Sequence, residues 1–107
     1  MSERTGIENT LIEILNRITN LTKHKYTFFV VGEALDKAEW VIHKFLETDS
    51  LDVRKRIYQE FCDTYDEYVP LLTNRYSYAI TLMSEARSLM ELELHNMEEA
   101  IKIGSEQ

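Results

Sequence analysis

One cysteine, Cys62, leaves no internal disulfide possible, and that usage fits a reducing, cytoplasmic setting. The three glycines stand apart at positions 6, 32 and 104, so there is no glycine-rich loop of the kind that cradles phosphates. No uncharged apolar run approaches the roughly 20 residues needed to cross a bilayer. The N-terminal stretch "MSERTGIENTL" has no basic segment leading into an apolar one, so no secretory signal is expected. Positive charge is also in deficit. Twelve Lys and Arg face nineteen Asp and Glu, for a net charge of −7. Phosphate backbones and anionic lipid surfaces are bound through concentrated positive charge, so neither nucleic acid nor membrane is expected as a partner. A neutral or basic protein partner suits the balance better.

What is present is ordinary for a globular chain: 107 residues, 44% hydrophobic and 29% charged. One domain over residues 1–107 would remove about 65% of its unfolded surface from water. Ile7, Leu11, Ile14, Ile18 and Leu21 recur at steps of four and three, the spacing of one helical face. Thr5 followed by Glu8 has the capping-box pattern, which places a first helix over about 5–21.

The stretch "HKYTFFVVGEALDKAEW" has two readings. Tyr26 to Val31 is the aromatic and β-branched material of strands, whereas Glu33 to Trp40 favours helix. Periodicity decides between them. Phe28, Val31, Leu35, Ala38, Ile42 and Phe45 step by three and four with no phase break at Gly32. A strand here would also leave its backbone donors and acceptors unpaired, since no second strand-like run exists to receive them. The segment is therefore expected to be a second helix, about 26–46 and the most buried, with Gly32 permitting close approach by a neighbour.

Asp49 or Ser50 should cap a third helix over about 51–68, with Val53, Ile57, Phe61 and Tyr68 inward and Pro70 ending it. A fourth helix over about 72–103 carries the stripe Ala79, Met83, Ala86, Met90, Leu94, Met97, Ile101, with Gly104 placed to close it. Four amphipathic helices with short connections predict an all-α, antiparallel up-and-down four-helix bundle.

Motifs that carry chemistry are sparse. His95 is four residues from both Glu91 and Glu99, but the chain has no Glu-x-x-His, the spacing that helical di-iron bundles use. A solvated acidic face explains the trio better than a metal. His43, exposed by periodicity, raises a phosphotransfer reading, yet "HKFLETD" lacks a glycine close after the histidine to let a partner approach. Glu33 with Asp36, and Glu60 with Asp63, resemble the paired carboxylates of metal-dependent helical hydrolases, but the first pair falls opposite the buried stripe. Cys62 has no nearby base and reads as an inert thiol. No catalytic residue, cofactor or metal is expected.

One feature breaks a local rule. The third helix has Arg54, Lys55 and Arg56 near its N-terminus and Asp63, Asp66 and Glu67 near its C-terminus, opposite to what the helix dipole favours. Pairing inside the bundle would explain it, with Glu47 and Asp49 at the basic end and Lys23, Lys25 and Arg75 at the acidic end. A sharper reading makes Tyr58, Asp63, Tyr65, Asp66 and Glu67 a partner-binding patch, since tyrosines interleave with the acids there.

The methionines at 83, 90 and 97, seven residues apart, read first as core and second as an adaptable binding groove. The long fourth helix should project beyond the bundle. Met90, Leu94, Met97 and Ile101 on its far end would then form a homodimer interface, with Ala79 and Ala86 allowing close approach. The expected function is thus a non-enzymatic, acidic interaction module of adaptor, inhibitor, immunity or chaperone type. The alternative is a histidine phosphotransfer or metal-dependent enzyme on the same bundle.

Overall fold

The computed structural model describes residues 3–23, 29–72 and 76–105. Four helices follow one another: α1 (Gly6–Thr22), α2 (Phe29–Glu47), α3 (Leu51–Tyr68) and α4 (Ser77–Ser105), with a 3-10 turn at Val69–Leu71. The described residues contain no strand. Each helix packs against its neighbours in the cyclic order α1–α2–α3–α4, and α2 also touches α4 across the middle. The bundle expected from periodicity is the fold observed.

The helix ends follow local chemistry. Thr5 accepts the Glu8 N–H while the Glu8 carboxylate accepts the Thr5 N–H, which completes the capping box of α1. Ser50 caps α3 by accepting the Val53 N–H at 3.3 Å. Pro70 sits in the 3-10 turn directly after α3, where its missing N–H interrupts no helical hydrogen bond. At the other extreme, α4 runs through Gly104 to Ser105, so that glycine does not close the helix.

Phe29, Val30 and Val31 are helical, so the second half of the strand-like run belongs to α2. Tyr26, Thr27 and Phe28 lie outside the described residues. Packing overrides β-propensity because α2 inserts Val31, Ala34, Leu35, Ala38, Val41, Ile42, Phe45 and Leu46 into the core. These join buried side chains from the other three helices in one apolar cluster.

Gly32 differs from expectation. A Cβ added there meets nothing within 4 Å, so no neighbour exploits the missing side chain. Its backbone is helical and its φ is not positive. Gly32→Ala should therefore stabilise the protein by about 0.4–1 kcal/mol, mainly by restricting the unfolded chain. Thermal melts of the two proteins check this, and an unchanged or lower midpoint would show that the position is tighter than its geometry indicates.

With 29 residues, α4 is about 43 Å long, against about 26–29 Å for the others. Its last turns project, and residues 98–104 are exposed throughout. Met90 and Leu94, however, are buried in the chain's own core, as are Ala79 and Ala86. Those four side chains are already spent on packing α4 against its own bundle. Of the expected dimer interface, only Met97, half-buried, and Ile101, exposed, reach the surface.

Candidate partner-binding surface

The expected tyrosine–acid patch divides into two. Tyr58 and Tyr65 turn toward α4: the Tyr58 hydroxyl donates to Glu91 at 3.3 Å, and the Arg87 guanidinium lies 3.9 Å from the Tyr65 ring centre. Burial, the Cys62 thiol and the Glu91 carboxylate together push the Tyr58 phenol up to about 12, so it stays protonated across the physiological range. Cys62 is half-buried beside it. These groups are engaged within the fold.

Asp63 and Glu67 turn the other way, into a groove between α2 and α3. The groove holds about 360 Å³ and is lined by Lys37, Trp40, Val41, Glu60, Asp63, Thr64 and Glu67. Asp66 is exposed and lines no part of it. Trp40, the only tryptophan of the chain, forms one wall and is 60% exposed. A large aromatic left in water beside a concave surface is the informative kind of exposure.

Two ammonium groups of α2 already rest on aromatic rings at this groove. Lys44 Nζ lies 4.1 Å from the centre of the Trp40 ring and 2.9 Å from Glu60 Oε2. Lys37 Nζ lies 5.1 Å above the Tyr68 ring. Contact with Tyr68, with Glu67 and Glu33 nearby, holds the Lys37 ammonium above its ordinary pKa. Asp63 is the exception. Among the described residues its partner is the neutral Gln59 amide, at 3.0 Å, and no cation pairs with it.

The opposite end of the bundle answers the reversed charges of α3. Arg54 is 2% exposed, not solvated. Its Nε donates to the carbonyls of Phe45 at 3.0 Å and Thr48 at 2.8 Å, and Arg4 Nη1 donates to Leu46 at 3.4 Å. Both cations thus satisfy carbonyls at the C-terminus of α2, where a helix dipole attracts positive charge. Arg54 Nη2 also meets Glu8 Oε2 at 2.7 Å, Nη1 approaches Glu93 Oε1 at 3.6 Å, and the Thr5 hydroxyl donates to Glu93 Oε2 at 3.1 Å. One guanidinium therefore ties together α1, α2, α3 and α4.

Burial opposes the charge on Glu8, but the Thr5 N–H, the Arg54 hydrogen bond and the charges of Arg54 and Arg4 outweigh it. Its pKa falls below the ordinary 4.5 as a result. Lys55 pairs instead with Glu98 of α4 at 2.8 Å. Glu47 and Asp49, the partners expected for this end, line a cavity of about 530 Å³ together with Arg54, Glu8 and Glu93. Lys25 and Arg75, two of the cations expected at the acidic end, lie outside the described residues; among those described, Lys37 is found there.

His43 on α2 and His95 on α4 are both exposed. The described residues contain no group of three His, Cys, Asp or Glu side chains arranged to hold a metal ion. No helix among them is long and apolar enough to cross a membrane. Compared with known proteins, the chain matches no family model, no curated protein and no solved structure.

Two features of this surface were not expected from the sequence. Trp40 has a usable signal: it is off the Val31–Leu35–Ala38–Ile42 stripe, and Asp36, Lys37 and Glu39, the other off-stripe residues between Leu35 and Val41, are charged. The groove itself has none, since it is made by the approach of two helices.

Proposed function

We propose that this protein is an interaction module that binds another protein through the α2–α3 face around Trp40. The observation that carries the reading is the exposed indole beside a groove whose α3 wall is acidic. Interfaces concentrate their binding energy in such aromatic anchors surrounded by polar rims. The net charge of −7 adds long-range attraction toward a basic partner and would speed encounter.

Trp40→Ala should leave the fold intact, because the side chain is mostly in water, while weakening partner binding by about 2 kcal/mol or more. Affinity purification from the native host with the wild-type chain and the variant compares them directly. A protein held by the wild type and lost by the variant, with equal melting temperatures, supports the reading. Equal recovery by both, or recovery by neither, ends it.

Self-association is a second reading, supported by the projecting end of α4. Leu92 and Ile103 are exposed there, eleven residues apart on one side of the helix. A second copy packing on that end would cover them. Light scattering after size exclusion should give about twice the monomer mass, and a clean 12.7 kDa at high concentration excludes the dimer.

A further inference from the structure

We infer that the α2–α3 groove seats an arginine side chain from a basic segment of the partner, with its guanidinium on the Asp63 and Glu67 carboxylates and against the Trp40 ring. This rests on the interaction-module reading and specifies its occupant. The wall that α3 contributes is Glu60, Asp63, Thr64 and Glu67, and α2 contributes one cation, Lys37. Lys44 already pairs with Glu60, and Lys37 lies near Glu67. That leaves Asp63 facing the groove with, among the described residues, only a neutral amide for company. The charge of an occupant follows from this remainder: it is positive.

Its shape follows from the ring and the volume. At about 360 Å³ the groove is at the small end of ligand pockets, suited to a side chain rather than a folded element. Lys44 on Trp40 and Lys37 on Tyr68 show that this surface already holds cations against aromatic rings. A guanidinium fits better than an ammonium between two carboxylates one turn apart, because its planar fork can donate to both while stacking on the indole.

The single tryptophan makes the site its own reporter, since any change in indole emission comes from position 40. The probe is a blocked tri-arginine peptide titrated into the full chain, followed by Trp40 fluorescence and by the indole N–H resonance. Saturable binding is expected, weaker for blocked tri-lysine and absent for tri-citrulline, which keeps the shape without the charge. Asp63→Asn with Glu67→Gln should weaken tri-arginine by about tenfold or more. Glu13→Gln with Glu85→Gln removes the same charge from exposed positions that do not line the groove, and should change affinity far less. Equal weakening by the two double variants, equal binding of tri-citrulline, or no saturable Trp40 response overturns the inference. If tri-arginine fails while Trp40→Ala still loses the host partner, the module reading stands and the arginine seat falls. If Trp40→Ala keeps that partner, the module reading itself fails.

Discussion

Replacing Arg54 with alanine should lower the stability of the protein by about 3–5 kcal/mol. The side chain is buried, and its removal takes the buried cation from the carboxylates of Glu8 and Glu93, leaving Glu8 only the more distant Arg4 at 3.8 Å. The carbonyls of Phe45 and Thr48 lose their donor in the same step. Against a typical total of about 5–15 kcal/mol, one substitution removes a large share. Arg54→Lys should also be costly, because one ammonium cannot span two carbonyls on one side and two carboxylates on the other. The loss reflects uncompensated buried charge more than a strong bond, so Arg54→Met with Glu8→Gln and Glu93→Gln should recover much of it. Urea denaturation of the four proteins tests the series. A loss under about 1 kcal/mol for Arg54→Ala would mean the guanidinium behaves like a surface charge.

The same network makes a pH prediction with a definite sign. Glu8 has a lower pKa folded than its ordinary 4.5, so its carboxylate binds protons more weakly in the folded state. Its contribution is fully present above pH 4.5, the ordinary value taken for the unfolded chain, and is lost as pH falls through the lower folded value. Wild type should therefore lose stability in that acid window more steeply than Glu8→Gln. Parallel acid limbs for the two proteins would assign the acid sensitivity to other groups.

Phe61→Ala should cost about 3–5 kcal/mol, by lost transfer energy plus the cavity left behind. The ring is fully buried and lies on the inward face of α3, one turn from Ile57 and two from Tyr68, both also in the core. Helix α3 carries Asp63 and Glu67 on one flank and Tyr58 and Tyr65 on another, so Phe61 is the anchor beneath both. A denaturant midpoint that drops with unchanged slope would show a plain stability loss. Phe61→Leu should cost clearly less, since most of the apolar volume remains. An alanine variant as stable as wild type would place the stripe of α3 on the wrong side.

The sequence by itself determined the four helices, their approximate ends and the faces they bury. Those follow from interactions between residues three and four apart, or between a cap and the next turn, and such neighbours are already adjacent in the chain. Thr5 with Glu8, Ser50 with Val53 and the Val31–Leu35–Ala38–Ile42–Phe45 stripe are all of this kind. The Arg54 network was half legible. Glu8 keeps step with Leu11, Arg54 with Ile57 and Glu93 with Met90, so each is a charge written in phase with an apolar stripe. That phase marks burial, but it names no partner: Arg54 and Glu8 are 46 residues apart, and only the assembly of the bundle, with α1 seated against α2 and α4, brings them within 2.7 Å. The same limit applied to the surface. Met90 and Leu94 lie on an apolar stripe whether it faces a second copy or the chain's own core, and tertiary packing chose the core. The tyrosines and acids of α3 alternate along one helix, and the positions of α4 and α2 on either side sent them to different faces. The groove at Trp40 belongs wholly to the tertiary structure, because its two walls are contributed by separate helices and its concavity exists only where they meet.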